Sequence, residues 1–406
     1  MALASSETQV SIRVADTRSG YGRARARVND SAGPAAILGP MTKLRVGIVF
    51  GGRSTEHEVS VTSATTILHA LDPSRYEPVL IGVGHDGAWH VAETESRLLP
   101  EAVIGSAESR TSFVGLRAGL ELLRRDDAAS ALARPLDVVF PIIHGRGGED
   151  GSLQGLLELA AIPYVGCGVL STALCMDKAL AKAVLRDAGV PVVPYREISR
   201  HAAQLSTSEF AESVEQAFQY PLFVKPTNTG SSVGVQKVRT RAHLHHAIKE
   251  AARYDHDVLV EPGVDAREIE CAVLGGHAPL ASVLGEIRYA SEFYDYEAKY
   301  ASESTQLLIP ADVSAPKAEE MRELALVAFH ALKCWGMARV DFFLEKRSGR
   351  VLLNELNTLP GFTEGSMYPK LWEASGIALP ELVDRLIELA LERRRETDSL
   401  EIRFRK

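Results

Sequence analysis

Two nearly continuous apolar runs, residues 44–50 (LRVGIVF) and 137–144 (DVVFPIIH), each close on a glycine-rich loop that opens an amphipathic stretch. A third run, residues 76–83 (YEPVLIGV), lies between them. Unbroken apolar runs mark strands covered on both faces, whereas alternation marks strands with one wet face. After the first loop, residues 58–71 place Val61, Ala64, Leu68 and Leu71 on one helical stripe. The pattern predicts an open α/β domain with a mainly parallel sheet. Ligands of such sheets lie beyond the carboxyl ends of the strands, which is where the glycine-rich loops fall.

The pattern changes past residue 170. A helix predicted over 172–188 stops at Gly189 with Pro191 following, a natural subdomain boundary. Strands then crowd together at 220–226, 232–238, 257–262, 268–275 and 285–290, in a spacing that suggests antiparallel pairing. Helices are predicted at 241–253, 314–334 and 379–395, the last with Arg393 to Arg395 in its final turn, where cations favour the helix dipole. The expected organisation is a tail (1–43), an N-terminal α/β domain (44–170), a central subdomain (171–256), a C-terminal subdomain (257–396) and a short end (397–406).

Charge narrows the function classes. The 406 residues carry a net charge of −8, and no apolar run approaches the ~18 residues of a membrane helix. A general nucleic-acid binder needs a surplus of Lys and Arg, so neither nucleic acid nor membrane is an expected partner. Residues 1–43 hold six basic and three acidic residues and lack any period, which leaves −11 for the rest. That segment reads as a disordered tail, non-native if translation begins at Met41; its three acids disfavour a transit peptide. Cys167, Cys175, Cys271 and Cys334 show no CxxC spacing and read as buried thiols of a reducing, cytoplasmic compartment.

Three loops carry candidate chemistry. Residues 51–58 (GGRSTEHE) offer bare helix-opening amides, which attract anions, yet Glu56 and Glu58 stand among them and suit a cationic ammonium group better. The alternative is that both glutamates only cap the helix. Residues 144–152 (HGRGGEDGS) hold four glycines, a density that lets backbone approach a ligand closely. In residues 224–234, Lys225 ends a strand and the Gly/Ser stretch behind it resembles a flap over a polyphosphate, although GxxxxGK[ST] is absent. Near the C-terminus, a period of two puts Arg339 and Asp341 on one strand face while Val340, Phe342 and Leu344 turn to the core. The same spacing pairs Glu355 with Asn357 on the next strand. Hard oxygen donors of this kind suit Mg²⁺ bridging nucleotide phosphates.

Five segments in order, HGRGGEDG (144–151), KPxxxGSSVG (225–234), EFYDYEAKY (292–300), ARVDFF (338–343) and NELNTLPGFT (354–363), together resemble the D-alanine:D-alanine ligase family of ATP-grasp enzymes, over about residues 45–390. The resemblance implies an α/β, ATP-grasp fold: an N-terminal open parallel-sheet domain and two α+β subdomains clamping ATP. It implies ATP-dependent joining of two D-alanines through an acyl phosphate for cell-wall precursor synthesis, with two Mg²⁺ (or Mn²⁺) ions per site and a homodimer.

By motif, Lys178, Lys225 and Ser232 correspond to phosphate ligands, Glu261 and Val264 to adenine contacts and Glu268 to the ribose ligand. Asp341, Glu355 and Asn357 correspond to the metal ligands, with Glu355 bridging. Glu56 corresponds to the group that receives the first D-alanine ammonium, hydrogen-bonded with Ser231 and Tyr300; His144 corresponds to a substrate contact, and Lys299 and Ser366 to second-substrate or loop contacts. Arg339 and the Gly361 amide correspond to the oxyanion donors. The chain departs from the family pattern at Pro262, which cannot donate a backbone hydrogen bond, and at Ala266. The alternatives are a relative taking D-lactate or D-serine as second substrate, which Tyr300 disfavours for lactate, and a silent nucleotide-binding protein, which the intact metal ligands disfavour.

Overall fold

A computed structural model describes residues 43–93, 135–231, 233–288 and 306–401. The expectations for 1–42, for Ser232, Lys299 and Tyr300, and for the end beyond 401 lie outside the described residues.

The first apolar run is β1 (Leu44–Gly51), followed by α1 (His57–Ala70), β2 (Tyr76–Val83), β3 (Trp89–Glu93) and β4 (Val138–Pro141). They form a four-stranded sheet in the order β3-β2-β1-β4, in which β1 pairs parallel with β2 and β4, and β3 is an antiparallel edge. Every residue of β1 after Leu44 is buried, as an unbroken apolar run requires. β4 is shorter than 137–144. Beyond it the chain turns back on itself: a Cβ on Gly148 would sit 1.8 Å from the Ile143 carbonyl oxygen, so the second loop closes only with glycine there.

Next come α2 (Ser152–Leu159), α3 (Val169–Met176) and α4 (Lys178–Asp187). The single helix expected over 172–188 is two helices. Asp177 caps α4 by accepting hydrogen bonds from the amides of Ala179 (3.1 Å) and Leu180 (2.9 Å), and an aspartate side chain that competes for backbone donors breaks the helix at its own position.

The middle of the chain gives β5 (Arg196–Ser199), α5 (Arg200–Leu205), α6 (Ser208–Ala217), β6 (Leu222–Pro226), β7 (Gln236–Val238), α7 (Arg241–Ala251) and β8 (Asp257–Pro262). These strands form an antiparallel sheet, β5-β8-β6-β7, packed on α6 and α7 through Val214, Leu222, Val224, Leu244 and Ile248. β8 is central in it. Hydrogen bonding along both edges of β8 holds residues 257–262 in this sheet.

A third sheet, β11-β10-β9-β12-β13, is built from β9 (Ala266–Gly275), β10 (Leu280–Arg288), β11 (Gln306–Leu308), β12 (Gly336–Glu345) and β13 (Val351–Asn357). One face packs on α8 (Ala315–Ala331) through Met321, Ala325, Phe329 and Phe342. Toward its other face lie α9 (Met367–Ala374) and α10 (Leu379–Ser399), which join the first sheet in one continuous core. In that core Phe362 meets Phe140 edge-on at 5.8 Å and Tyr368 at 5.7 Å. Each such buried aromatic contributes roughly 1.5–3 kcal/mol. Because α10 runs to Ser399, Arg393 to Arg395 are not in its final turn. Arg393 instead donates to the carbonyls of Gly166 (2.5 Å) and Tyr164 (3.0 Å) and covers the Tyr164 ring at 4.1 Å. Among the described residues no helix is long and apolar enough to cross a membrane.

Candidate active site

Loops at the carboxyl ends of β1 and β4, the flap after β6 and residues of β8, β9, β12 and β13 line one cavity of about 1790 Å³. Glu56, His144, Lys178, Lys225, Ser231, Glu261, Val264, Glu268, Arg339, Asp341, Glu355, Asn357, Gly361 and Ser366 all line it.

Glu56 occupies the position before α1, yet its side chain makes no cap hydrogen bond. Its carboxylate accepts a hydrogen bond from the Ser231 hydroxyl, a contact that links the first loop to the flap. Ser231 adopts φ +47°, and a Cβ on Gly230 or Gly145 would stand 3.0 or 3.2 Å from Glu56 Oε2. The helix-capping alternative therefore fails for Glu56: glycines make room for its carboxylate, and a strained serine reaches it. Glu58, by contrast, is exposed and lies 3.7 Å from His85.

His144 is buried between α1 and its own loop, with Nε2 3.5 Å from Ser63 Oγ and Nδ1 3.5 Å from Glu149 Oε1. Ser63 Oγ also accepts a hydrogen bond from the Phe362 amide (3.2 Å), and Glu149 from the Gly145 amide (3.1 Å). The 144–152 loop and the segment at Phe362 are thus both tied to α1 through Ser63. Beside Phe362, Gly361 must be glycine-sized because a Cβ there would meet Ser366 Oγ at 2.8 Å.

At the other end of the cavity, Lys225 Nζ stands 2.6 Å from Glu261 Oε2, and Lys182 Nζ 2.8 Å from Glu261 Oε1. Burial alone pushes the Glu261 carboxyl up, but the two lysines outweigh it and hold the group below the ordinary carboxylate range. Lys178, opening α4, donates to the Thr229 carbonyl (2.8 Å) under the flap and lies 3.7 Å from Glu355 Oε2.

The strand register explains the remaining group. Asp341 lies directly opposite Glu270 on β9 and directly opposite Glu355 on β13, so three carboxylates form a row across one sheet face. Arg339, opposite Asn357, forks onto Asp341 through Nε (2.8 Å) and NH2 (2.7 Å), with Nε also 3.2 Å from Glu270 Oε2. Burial works against the guanidinium charge, but Asp341 and Glu270 raise its pKa well above the ordinary arginine value. Oxygen donors from Asp341, Glu355 and Asn357 on adjoining positions fit a hard divalent cation.

Lys182 and Glu270 were not anticipated from the sequence. A signal existed for each: Lys182 follows Lys178 by one helical turn, and Glu270 follows Glu268 by one strand period.

Residues 45–167 match the family model described as D-ala D-ala ligase N-terminus, and residues 184–388 the model described as D-ala D-ala ligase C-terminus. The chain is 50% identical over 364 residues to D-alanine–D-alanine ligase A of Chromobacterium violaceum, covering 89% of this chain and 98% of the relative. It is 48% identical to the Salmonella typhimurium enzyme of the same name, covering 89% and 99%. Among solved structures, the D-alanine–D-alanine ligase of Coxiella burnetii superposes with a TM-score of 0.75 at 39% identity, covering 88% of this chain and 96% of that one. The VanG D-Ala:D-Ser ligase of Enterococcus faecalis gives 0.74 at 34% identity, covering 86% and 100%.

Proposed function

The chain belongs to the D-alanine–D-alanine ligase family, with the ATP-grasp fold, and from that premise we propose how its own residues carry out the ATP-dependent joining of two D-alanines for peptidoglycan precursor synthesis. The observation that supports the assignment of roles is the shared cavity, in which Glu56, Arg339 and the oxygen donors of β12 and β13 face one space.

Glu56, already hydrogen-bonded by Ser231, receives the ammonium group of the first D-alanine. Its negative charge selects an amino acid and orients the substrate carboxylate toward the row of β12 and β13. Glu261 and Val264 take the adenine, Glu268 the ribose, and Lys178 and Lys225 the phosphates, with Ser232 of the flap assigned the same role. Pro262 leaves the base without one backbone donor, so the Glu261 side chain carries more of its recognition.

The family uses ATP and a divalent metal; Mg²⁺ or Mn²⁺, two ions per site, would be held by Asp341, Glu355 and Asn357, with Glu355 shared. When bound, the metal supplies positive charge against the transferring phosphoryl group. The D-alanine carboxylate attacks the γ-phosphate and yields an acyl phosphate and ADP. The amine of the second D-alanine, held by Lys299 and Ser366, then attacks the acyl carbon, while Tyr300 stays with Ser231 at Glu56. Arg339 and the Gly361 amide stabilise the oxyanion, and phosphate leaves.

The three sheets are read as three subdomains, with the central one ending after Pro262. The enzyme is assigned to the cytoplasm as a homodimer. Glu355→Ala is expected to abolish metal-dependent turnover while the far-ultraviolet spectrum stays unchanged; turnover near wild type would mean that the metal ligands are misassigned. The likeness to a D-Ala:D-Ser ligase makes D-serine the second acceptor to test.

A further inference from the structure

Lys182 is only 1% exposed, in the middle of α4, and it does not line the cavity. Its ammonium group stands behind Glu261, 2.8 Å from Oε1, while Lys225 approaches Oε2 from the cavity side. Burying a lysine this completely is costly, and an apolar side chain of similar volume would serve packing better. Burial accordingly depresses the Lys182 pKa, the Lys225 charge adds to the shift, and Glu261, with a smaller contribution from Glu355, opposes it. The two lysines are not equivalent. Once Lys225 turns to a phosphate, Lys182 is the cation that Glu261 keeps.

We propose that Lys182 is a positioning residue for nucleotide selection, holding the Glu261 carboxylate ionised and aimed into the cleft so that a 6-aminopurine triphosphate is accepted and a 6-oxopurine triphosphate rejected. The step rests on the reading of Glu261 as the adenine contact. An ionised carboxylate can only accept hydrogen bonds, so it pairs with an exocyclic amine and repels the lone pairs of a 6-oxo group. A protonated carboxyl group can donate to that oxygen. Selectivity therefore follows the charge on Glu261, and Lys182 sets that charge without touching the nucleotide.

The test is kcat/KM with ATP and with inosine triphosphate, for wild type and Lys182→Met, across about pH 6 to 9. The wild-type ATP:ITP ratio is expected to stay flat. At pH 7 the ratio for Lys182→Met is expected to fall roughly tenfold or more, mainly through a higher KM for ATP, and to recover as pH rises and Glu261 loses its proton. A folded Lys182→Met enzyme with the wild-type ratio at every pH overturns the proposal. Should that variant not fold, the wild-type profile decides alone: a ratio that drops as pH falls through 7 means that Glu261 is not held ionised. Glu261→Ala is expected to lose the selectivity; if it keeps the wild-type ratio, the adenine assignment itself fails, and the proposal with it.

Discussion

Replacing Arg339 by alanine separates its structural role from its catalytic one. The guanidinium is the cation between Asp341 and Glu270, which face one another across the β9–β12 register with side chains only 14% and 7% exposed. Removing one member of a buried ionic group costs about 3–5 kcal/mol, because the carboxylates left behind are desolvated and repel each other. For domains of 150–250 residues one kcal/mol shifts the melting temperature by roughly 2–4 °C, which puts the expected loss near ~6–20 °C. The released carboxylate is also a metal ligand in this account. Millimolar Mg²⁺ should therefore raise the melting temperature of Arg339→Ala more than that of wild type, since the ion replaces the missing cation. Differential scanning fluorimetry with and without Mg²⁺, paired with ADP release, reads both effects. Turnover should fall by ~10²–10³, the range for losing one oxyanion donor. A variant that melts within about 1 °C of wild type, or whose response to Mg²⁺ matches wild type, would refute the shared-carboxylate argument.

Four further outcomes follow, three from particular contacts and one from the role proposed for Tyr300. Arg393→Ala removes two charge-assisted hydrogen bonds and a ring contact between α10 and the Tyr164–Gly166 segment, and should destabilise by roughly 2–4 kcal/mol in urea titration with the m-value unchanged. Glu286 is held below the ordinary carboxylate range, chiefly by the Arg267 fork and against burial; its stabilisation is full above the unfolded value near ~4.3 and is lost as pH falls through the folded value, so Glu286→Gln should flatten the acid limb of the stability curve. Burial pushes the Cys271 thiol up to about 12, so brief iodoacetamide treatment of native enzyme at pH 8 should leave it unmodified by mass spectrometry, and rapid alkylation would contradict the packing. Tyr300→Phe should raise use of D-lactate relative to D-alanine, measured by competition; an unchanged preference counts against the role assigned to Tyr300.

Much of the site could be read because its chemistry follows local periods. Arg339 and Asp341 share a face by strand alternation, as do Glu355 and Asn357, and Val340, Phe342 and Leu344 are buried as that alternation requires. What escaped the sequence is set by contacts between distant segments. No local pattern reveals that Glu270 lies opposite Asp341, that Arg393 reaches back to Gly166, or that β8 is central in the second sheet. A helical stripe read for apolar residues likewise passes over a lysine such as Lys182, whose burial depends on a glutamate 79 positions away. The break at Asp177 was hidden for a different reason: aspartate fits both a helix interior and an N-cap, and only the observed bonds to Ala179 and Leu180 decide between them.

On the proposed roles, one cavity joins a D-alanine bound at Glu56 to a second D-alanine, with one ATP consumed per peptide bond. Mass spectrometry of the products formed when D-alanine, D-serine and D-lactate compete at equal concentration tests it most directly. D-Alanyl-D-alanine as the main product, with one ADP per peptide bond and none formed when L-alanine replaces the D-isomer, is the predicted result. A dominant D-alanyl-D-serine or D-alanyl-D-lactate product, or ADP release without ligation, would contradict it.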